Sequence, residues 1–349
     1  MFRSPALTQS GSCRSFPRHL LLKRTTLVGT AIAAFFTQVI YIQPVSAKPS
    51  IRPNIILIMC DDMGWSDIGC YGGEVKTPNL DKLAAEGLRM TQMHNTSKCF
   101  PSRACLLTGV YAQQCGMDKS FERIRNAMTL GEVLRGAGYR TLAAGKHHCK
   151  ESLYDRGFDR YFGLRDGCCN FFNPGLQRPG EGIPSQKKHR PWCIDDKQMT
   201  PYTPPEKDFY TTDYFTNYAI SYIEEYKDED KPFLLYLAYN APHDPLQAWP
   251  EDIAKYQGKY MKGYAAIREE RYARQKKMGL VDASMPLSAP TFTDWNSLSD
   301  EKKVDEDLKM AIYAAMIDRV DQNIGRLLDT LKTTVRYDTP LIMFSSDNG

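Results

Sequence analysis

The first 47 residues contain no acidic side chain, although they include five basic ones. An apolar run follows from Leu27 to Ile42, and the small-residue pattern Val45-Ser46-Ala47 comes soon after it. This order is typical of a secretory signal peptide. An uncleaved membrane anchor is the alternative, because the run approaches the spanning minimum of about 17 residues. Polar residues within the run and the good cleavage pattern favour removal near Ala47. We therefore expect export to the periplasm or the medium, without a stable membrane anchor.

The rest of the chain has no excess of either charge. The full sequence has 45 Lys and Arg against 41 Asp and Glu, and setting aside the five leading cations leaves 40 against 41, a net charge of −1. No basic and aromatic repeat is present either. This balance argues against a nucleic-acid partner. The roughly 300 residues that remain are enough for one large α/β domain.

Cysteine is absent after Cys193, and no Cys-x-x-Cys pair occurs anywhere. The missing pair argues against a structural zinc site. Nine cysteines follow the leading segment, and an exported compartment permits disulfides between some of them. Cys168 and Cys169 are candidates to pair with others such as Cys193, but the sequence does not fix the connectivity.

Four short apolar runs are each followed by a polar cluster. The runs are Asn54–Met59, Thr141–Ala144, Phe233–Tyr239 and Leu341–Phe344. Runs of this kind are typical of strands that are covered on both faces of a parallel sheet. Helical patterns alternate with them, at residues 129–137, at 308–331 and in a segment that opens with Thr77 as the capping residue and closes at Gly87. The alternation predicts an α/β fold with a mostly parallel sheet.

The polar clusters carry the side chains that we expect at the functional site. In open α/β sheets, ligands bind beyond the carboxyl ends of the parallel strands. The residues predicted to share that edge are Asp61, Asp62, Lys146, His148, His243, Asp347 and Asn348. Two stretches, at about 167–207 and 251–299, break the alternation. We interpret both as loop insertions over the same edge.

The acidic pairs at this edge offer only oxygen donors. Asp61 and Asp62 follow the first strand, and Asp347 and Asn348 follow the last one. Hard divalent cations such as Ca²⁺ and Mg²⁺ take ligands of this type. Two such pairs at the ends of two buried strands therefore predict a metal site.

Cys99 begins a second candidate site. It stands two residues before Pro101, with Ser102 and Arg103 next and an apolar run behind. Because proline is pre-set for the first turn of a helix, Cys99 should lie at a helix N-terminus, where backbone N–H groups favour an anion. Chemistry alone leaves two roles open, a nucleophilic thiolate of low pKa and a buried structural cysteine.

The segment Cys99-Phe-Pro-Ser-Arg103, followed by Leu-Thr-Gly109, resembles the signature of the type I sulfatases, which belong to the alkaline-phosphatase-like superfamily. The resemblance implies that a formylglycine-generating maturation enzyme converts Cys99 to formylglycine, whose hydrated aldehyde is the nucleophile. It extends from about Arg52 to Gly349 and implies an alkaline-phosphatase-like sheet flanked by helices on both faces. Residues 48–349 would then be the N-terminal part of the catalytic domain. The small antiparallel C-terminal domain of the family is expected to be missing from this chain.

The resemblance also implies roles for individual residues. The family's metal, usually calcium with magnesium as the alternative, would be held by Asp61, Asp62, Asp347, Asn348 and an oxygen of the modified Cys99. Arg103 and the metal would hold the nucleophile. Lys146 and His243 would neutralise the sulfuryl oxygens, with His243 as the first candidate for the general acid. His148 would act as the base when sulfate is released, and His147 would have a packing role.

These features predict an exported sulfatase that hydrolyses a sulfate ester of a carbohydrate or an aryl alcohol. Its substrate would be a sulfated small molecule or glycan. A phosphonate or phosphate ester hydrolase of the same superfamily is the enzymatic alternative. The alternative from another class is a catalytically silent protein that binds sulfated glycans.

Overall fold

The computed structural model describes residues 52–182, 188–334 and 340–349. The predicted signal peptide, with its cleavage site, lies outside these residues. Within them, seven strands form one sheet: β1 (Ile55–Cys60), β2 (Arg140–Gly145), β3 (Arg160–Leu164), β4 (Trp192–Ile194), β5 (Lys197–Met199), β6 (Phe233–Ala238) and β7 (Leu341–Ser346). The α-helices are α1 (Pro78–Glu86), α2 (Cys99–Thr108), α3 (Leu130–Gly136), α4 (Thr211–Tyr226), α5 (Pro250–Ala254), α6 (Tyr264–Lys277) and α7 (Asp300–Thr334).

The strand order across the sheet is β5-β4-β3-β2-β6-β1-β7. The five strands from β3 to β7 in this order are parallel, and β4 and β5 add two short antiparallel strands at one edge. The predicted α/β fold with a mostly parallel sheet is therefore confirmed. Because β2, β6, β1 and β7 are neighbours, the residues that follow these four strands meet at one edge.

Both faces of the central strands are buried, which explains their continuous apolar sequences. In β1, Ile56 and Ile58 face a cluster that includes residues of α1, α4 and α7. Leu57 and Met59 face the opposite cluster, which includes Leu107 of α2. Successive side chains of a strand point to opposite faces, so a strand covered on both sides needs an apolar residue at every position.

The predicted strands agree with the observed ones to within two residues at each end, and α7 extends the predicted helix in both directions. The sequence pattern predicted neither β3 nor α4. The segment at 167–207 contains β4 and β5, and the segment at 251–299 contains α5 and α6. These elements have mixed polar and aromatic sequences without a clean period, so the pattern alone did not reveal them.

Thr77 is the N-cap residue of α1, as predicted, and its backbone carbonyl accepts the N–H of Asp81 at 2.8 Å. Thr77 makes no side-chain capping bond. The Asp321 carboxylate of α7 instead accepts the backbone N–H of Asn79 at 3.1 Å and of Leu80 at 2.8 Å. A carboxylate at a helix N-terminus satisfies free N–H groups and meets the positive end of the helix dipole. The free N–H groups of α1 are thus bound by a carboxylate more than 240 positions away in the sequence, and the side chain of Thr77 does not bind them.

The nine cysteines of the described residues are all free thiols. The pairing that was left open for Cys168, Cys169 and Cys193 is therefore not observed. None of the helices in the described part of the chain has both the length and the apolar composition that a bilayer-spanning helix needs.

Candidate active site

The ends of four neighbouring strands bring the predicted polar residues to one edge of the sheet. Asp61 and Asp62 follow β1, and Asp347 and Asn348 follow β7, its neighbour on one side. Lys146 and His148 follow β2, and His243 lies five residues beyond β6. Direct contacts, or contacts through Arg103, join all of these side chains except that of His148, on which Lys146 and Arg103 act only electrostatically.

Gly145, the last residue of β2, allows this strand to end in close contact with the backbone of β6. Gly145 has a φ of +117°, and a Cβ built on it would lie 1.8 Å from the carbonyl oxygen of Ala238 in β6. No other residue fits such a close approach of two backbones. The next residue is Lys146, so this glycine permits the turn of the chain that directs the lysine to the sheet edge.

Three carboxylates form the centre of the site. Asp61, Asp62 and Asp347 each offer one oxygen, and these oxygens lie within 4.8 Å of one another. Asp61 and Asp347 are fully buried, while Asp62 is partly exposed. The amide of Asn348 donates to Asp62, and the backbone N–H of Asp62 donates to an Asp347 oxygen at 3.3 Å. Such close carboxylates repel one another unless positive charge compensates them.

Two buried oxygens that accept no hydrogen bond indicate where a cation would fit. Oδ1 of Asp61 and Oδ1 of Asn348 are buried and have no hydrogen-bond partner. A buried polar atom without a partner is costly, so such atoms call for an explanation. Oxygen ligands from carboxylates and an amide suit Ca²⁺ or Mg²⁺. The donor set therefore fits a hard divalent cation, and the identity of the metal stays a prediction.

Arg103 and Lys146 supply the positive charge that the protein itself brings to the carboxylates. Nε and Nη2 of Arg103 both lie 2.9 Å from Oδ2 of Asp347, and Nη2 lies 3.5 Å from Oδ1 of Asp61. Arg103 also donates to the carbonyl of Lys146 at 2.8 Å. Nζ of Lys146 contacts Oδ2 of Asp61. Lys146, Arg103 and the two aspartates are almost completely buried, so the charges interact with little solvent screening.

Burial and charge act in opposite directions on the two buried aspartates. Burial raises the pKa of Asp61, and the contact with Lys146 only partly opposes it. Burial also acts to raise the pKa of Asp347, but Arg103 and Lys146 together outweigh it and lower that pKa below its ordinary value. Asp347, which receives two bonds from Arg103, is therefore the more firmly ionised of the pair.

Cys99 is the first residue of α2, as predicted, and it is half-buried. The charged groups that act on its thiol include Lys146, Asp61 and Arg103, so it lies beside the carboxylate cluster. Burial raises the pKa of the Cys99 thiol. The role of a low-pKa thiolate, which chemistry alone had left open, is therefore not supported. The helix itself is tied to β7, because Oγ of Ser102 donates to the carbonyl of Asp347 at 2.6 Å.

His243 borders the same cluster. Its Nε2 lies 3.5 Å from Oδ2 of Asp62, and its Nδ1 lies 2.6 Å from the carbonyl oxygen of Asp244. A carbonyl only accepts hydrogen bonds, so Nδ1 carries a proton. Nε2 is then the ring nitrogen outside that bond, and it faces the carboxylates.

His148 is held in an unusual conformation. Its φ of +61° is rare for a residue with a side chain. Its Nε2 lies 3.2 Å from Oγ of Ser120, its ring meets Phe100 edge-on, and its Nδ1 is buried without a partner. Burial, together with the charges of Lys146 and Arg103, lowers the pKa of His148 to about 2, so the ring is neutral at ordinary pH. Burial likewise lowers the pKa of His147 to about 3, which agrees with a packing role.

Sequence reasoning missed several residues that support the site. Ser120 and Gly167 contact His148, and Tyr313 contacts the backbone of Asp62. Ser120 and Tyr313 follow no strand of the sheet, and Gly167 follows β3, which the sequence pattern did not reveal. Their positions depend on loops and on α7, so no local signal in the sequence marks them.

Comparison with known proteins identifies the family. A family model for sulfatases matches residues 53–349. The chain belongs to the sulfatase family. It is 36% identical over 316 residues to an arylsulfatase of Klebsiella aerogenes, a match that covers 85% of this chain and 66% of that protein. It is 34% identical over 357 residues to arylsulfatase G of Mus musculus, which covers 94% of this chain and 57% of that protein.

Solved sulfatase structures share the fold. The crystal structure of Ps i-CgsB in complex with k-i-k-neocarrahexaose matches with a TM-score of 0.56 and 28% identity, covering 85% of this chain and 59% of that one. This sulfatase chain thus spans less than two thirds of the length of these relatives. The family match and the structural similarity confirm the predicted resemblance to the type I sulfatases and their alkaline-phosphatase-like fold.

Proposed function

We propose that this protein hydrolyses a sulfate ester of a carbohydrate or an aryl alcohol to the alcohol and inorganic sulfate. The observation that carries the proposal is the meeting of Cys99, at the start of α2, with three carboxylates and two buried cations at one edge of the sheet. We further propose that the protein is exported and that a maturation enzyme converts Cys99 to formylglycine.

Two groups would complete this site. The hydrated aldehyde of formylglycine supplies one hydroxyl that attacks sulfur and a second that allows sulfate to be expelled. A calcium ion, or magnesium as the alternative, supplies positive charge for the nucleophile and for the sulfuryl oxygens. The residues that would hold the cation are Asp61, Asp62, Asp347 and Asn348, with the side chain at position 99. The unpartnered oxygens of Asp61 and Asn348 support this assignment.

The chain's own residues would bind the sulfuryl group and stabilise its charge. Arg103 fixes the carboxylate of Asp347 and holds the N-terminal turn of α2 against the site. Lys146, whose Nζ contacts Asp61, would add its positive charge next to the sulfuryl oxygens. Positive groups that are already in place when charge develops stabilise a transition state strongly, because they need no reorganisation.

The two histidines would move the protons. Nε2 of His243 faces the carboxylates and would donate a proton to the leaving alcohol as the S–O bond breaks. Nδ1 of His148 is buried without a hydrogen-bond partner, so His148 would be the acceptor for the proton of the remaining hydroxyl when sulfate leaves. Acid and base would thus be different residues on different strand ends, which is how opposite proton transfers can proceed at one pH.

The substrate class rests on similarity. The relatives include arylsulfatases by name, and the Ps i-CgsB structure holds k-i-k-neocarrahexaose, an oligosaccharide. These comparisons support a sulfated aryl alcohol or a sulfated glycan. The aryl compound is the simpler probe, because its release can be followed directly by absorbance.

The test combines mass spectrometry with turnover. Trypsin should release the peptide Cys99–Arg103 from protein made with a formylglycine-generating partner, since Lys98 precedes it. We expect the mass of the aldehyde in this peptide and turnover of an aryl sulfate, with Cys99→Ala as the inactive control. A strong preference for an aryl phosphonate ester would instead indicate the phosphonate hydrolase. An unmodified thiol despite an active maturation partner would indicate the silent glycan-binding protein.

Gly167 offers a test of the role of His148. A Cβ at this position would lie 2.8 Å from Cε1 and 3.0 Å from Nε2 of the imidazole, so Gly167→Ala should displace the ring. We expect kcat for an aryl sulfate to fall between about 10- and 100-fold, because a small misplacement of a catalytic group is costly. Gly182→Ala, in the same segment and with open space around its Cβ, is the matched control. Equal kcat values in the two variants would contradict a catalytic role for His148.

A further inference from the structure

The backbone of Asp62 is held in a strained conformation. Its φ is +62°, in the left-handed region that side chains rarely adopt. Strain of this kind persists only where the surrounding structure enforces it, and it is concentrated at functional sites. Asp62 is also the most exposed of the three clustered carboxylates. Its side chain contacts Asn348 and His243, and its position also depends on contacts to its backbone.

Tyr313 of α7 makes the contact that holds this backbone. Its hydroxyl proton is shared between two acceptors, the carbonyl oxygen of Asp62 at 3.2 Å and Oδ2 of Asp67 at 2.7 Å. The same Asp67 oxygen accepts the N–H of Gly64 at 2.9 Å, and the N–H of Asp67 donates to the Gly64 carbonyl at 3.0 Å. Tyr313 and Asp67 thus fix both ends of the turn that follows Asp62.

Helix α6 holds Asp67 from the other side. Arg271 donates to Oδ1 of Asp67 at 2.7 Å and makes bonds of 2.8 Å to both oxygens of Glu74. Arg274 donates to the carbonyl of Gly72 at 2.7 Å. The segment 62–74 is therefore held between α7 and a helix within the segment 251–299. Arg271 has two carboxylate partners, so its own charge is fully compensated.

We propose that Tyr313 and Asp67 are positioning residues that hold Asp62 in place for the divalent cation. The proposal rests on the metal site given under the proposed function. Tyr313 and Asp67 do not belong to the carboxylate cluster, and they act through the backbone of Asp62. Residues that orient a metal ligand commonly change metal affinity by 10- to 100-fold when they are altered.

The test compares Tyr313→Phe with Tyr210→Phe. Each change removes one hydroxyl, and the hydroxyl of Tyr210 donates to the carbonyl of Gln247 at 2.8 Å, in a different part of the protein. We expect Tyr313→Phe to raise the Kd for Ca²⁺, measured by calorimetry, by about 10-fold. In metal-free protein, the peptide that covers residues 61–67 should exchange its amide hydrogens about 10-fold faster. Tyr210→Phe should leave both quantities as in the wild type.

Asp67→Asn provides a second variant, because it keeps the shape of the side chain and removes the charge that Arg271 binds. It should change calcium affinity and amide exchange in the same direction. Unchanged exchange and unchanged Kd in both Tyr313→Phe and Asp67→Asn would overturn the proposal. If the wild type bound no calcium while exchange at 61–67 still rose, the positioning of Asp62 would stand and the metal site would be refuted.

Discussion

Replacement of Arg103 by methionine should destabilise the protein by about 3–5 kcal/mol, the cost of removing one partner from a buried ion pair. Arg103 is 1% exposed and makes two contacts of 2.9 Å to Asp347, with Asp61 at 3.5 Å. Without the guanidinium, both carboxylates stay buried, and only Lys146 remains to compensate them. The free energy of unfolding in urea, measured without divalent cations, tests this expectation.

Arg140→Met is the matched control. Arg140 also pairs with two carboxylates, those of Asp159 and Glu229, but its side chain is 22% exposed. Water can replace partly exposed partners, so this change should cost only about 1 kcal/mol. If the two variants lost equal stability, the buried cluster would not depend on Arg103 in the way that its geometry indicates.

Calcium should reduce the defect of the Arg103→Met variant. A cation among Asp61, Asp62 and Asp347 would take over part of the compensation that the guanidinium provides. The difference in unfolding free energy between wild type and variant should therefore be smaller in millimolar CaCl₂ than in chelator. A difference that is the same in both solutions would argue against a cation site beside Arg103.

The candidate site could be predicted from sequence because of where its residues lie along the chain. Asp61, Lys146 and Asp347 each follow a strand directly, and continuous apolar sequences made those strands recognisable. The carboxyl ends of parallel strands meet at one edge, so the spatial grouping followed from the order of elements. The sequence pattern did not show which strands are neighbours. The strand order of the sheet shows that β2, β6, β1 and β7 are adjacent.

The supporting residues could not be predicted, for a physical reason. Tyr313 reaches Asp62 across 251 positions, and Asp321 reaches Leu80 across 241. Both residues lie on α7, where polar residues on a buried helix face look like interruptions of the apolar pattern. The groups that they contact at Asp62 and Leu80 belong to the backbone, which carries no sequence signal of its own. Thr77 occupies the N-cap position of α1 as expected, but the side-chain oxygen that accepts the free N–H groups comes from Asp321, a tertiary contact that the local sequence does not show.

Asp61→Asn should weaken calcium binding by at least about 100-fold. The described cluster holds three carboxylates and two cations, Arg103 and Lys146, so its formal charge is −1 before the metal binds. Asparagine keeps the shape of the side chain but removes one negative charge and brings the cluster to zero. Ligand charge is a main determinant of Ca²⁺ affinity. Calorimetric titration with CaCl₂, and in parallel with MgCl₂, measures the loss.

Asp318→Asn controls for the removal of a buried carboxylate elsewhere, because Asp318 pairs with Lys255 and receives the Tyr256 hydroxyl at 2.8 Å. It should bind calcium as the wild type does. Wild-type affinity in Asp61→Asn would show that Asp61 is not a ligand.

Asp61→Asn should also lower the stability of the protein, because it leaves the buried Lys146 without its carboxylate partner. This loss of stability must be separated from the loss of calcium binding. The double variant Asp61→Asn/Lys146→Met removes that unpaired charge. We expect it to regain much of the stability lost in Asp61→Asn, because an uncompensated buried charge is the main cost. Its calcium affinity should also be higher than that of Asp61→Asn, because the formal charge of the cluster returns to −1. The affinity should nevertheless stay well below that of the wild type, because a neutral amide replaces a ligand carboxylate. Full recovery of calcium affinity would mean that Asp61 contributes only its charge to the cluster. Recovery of stability without recovery of affinity would mean that Asp61 coordinates the ion directly.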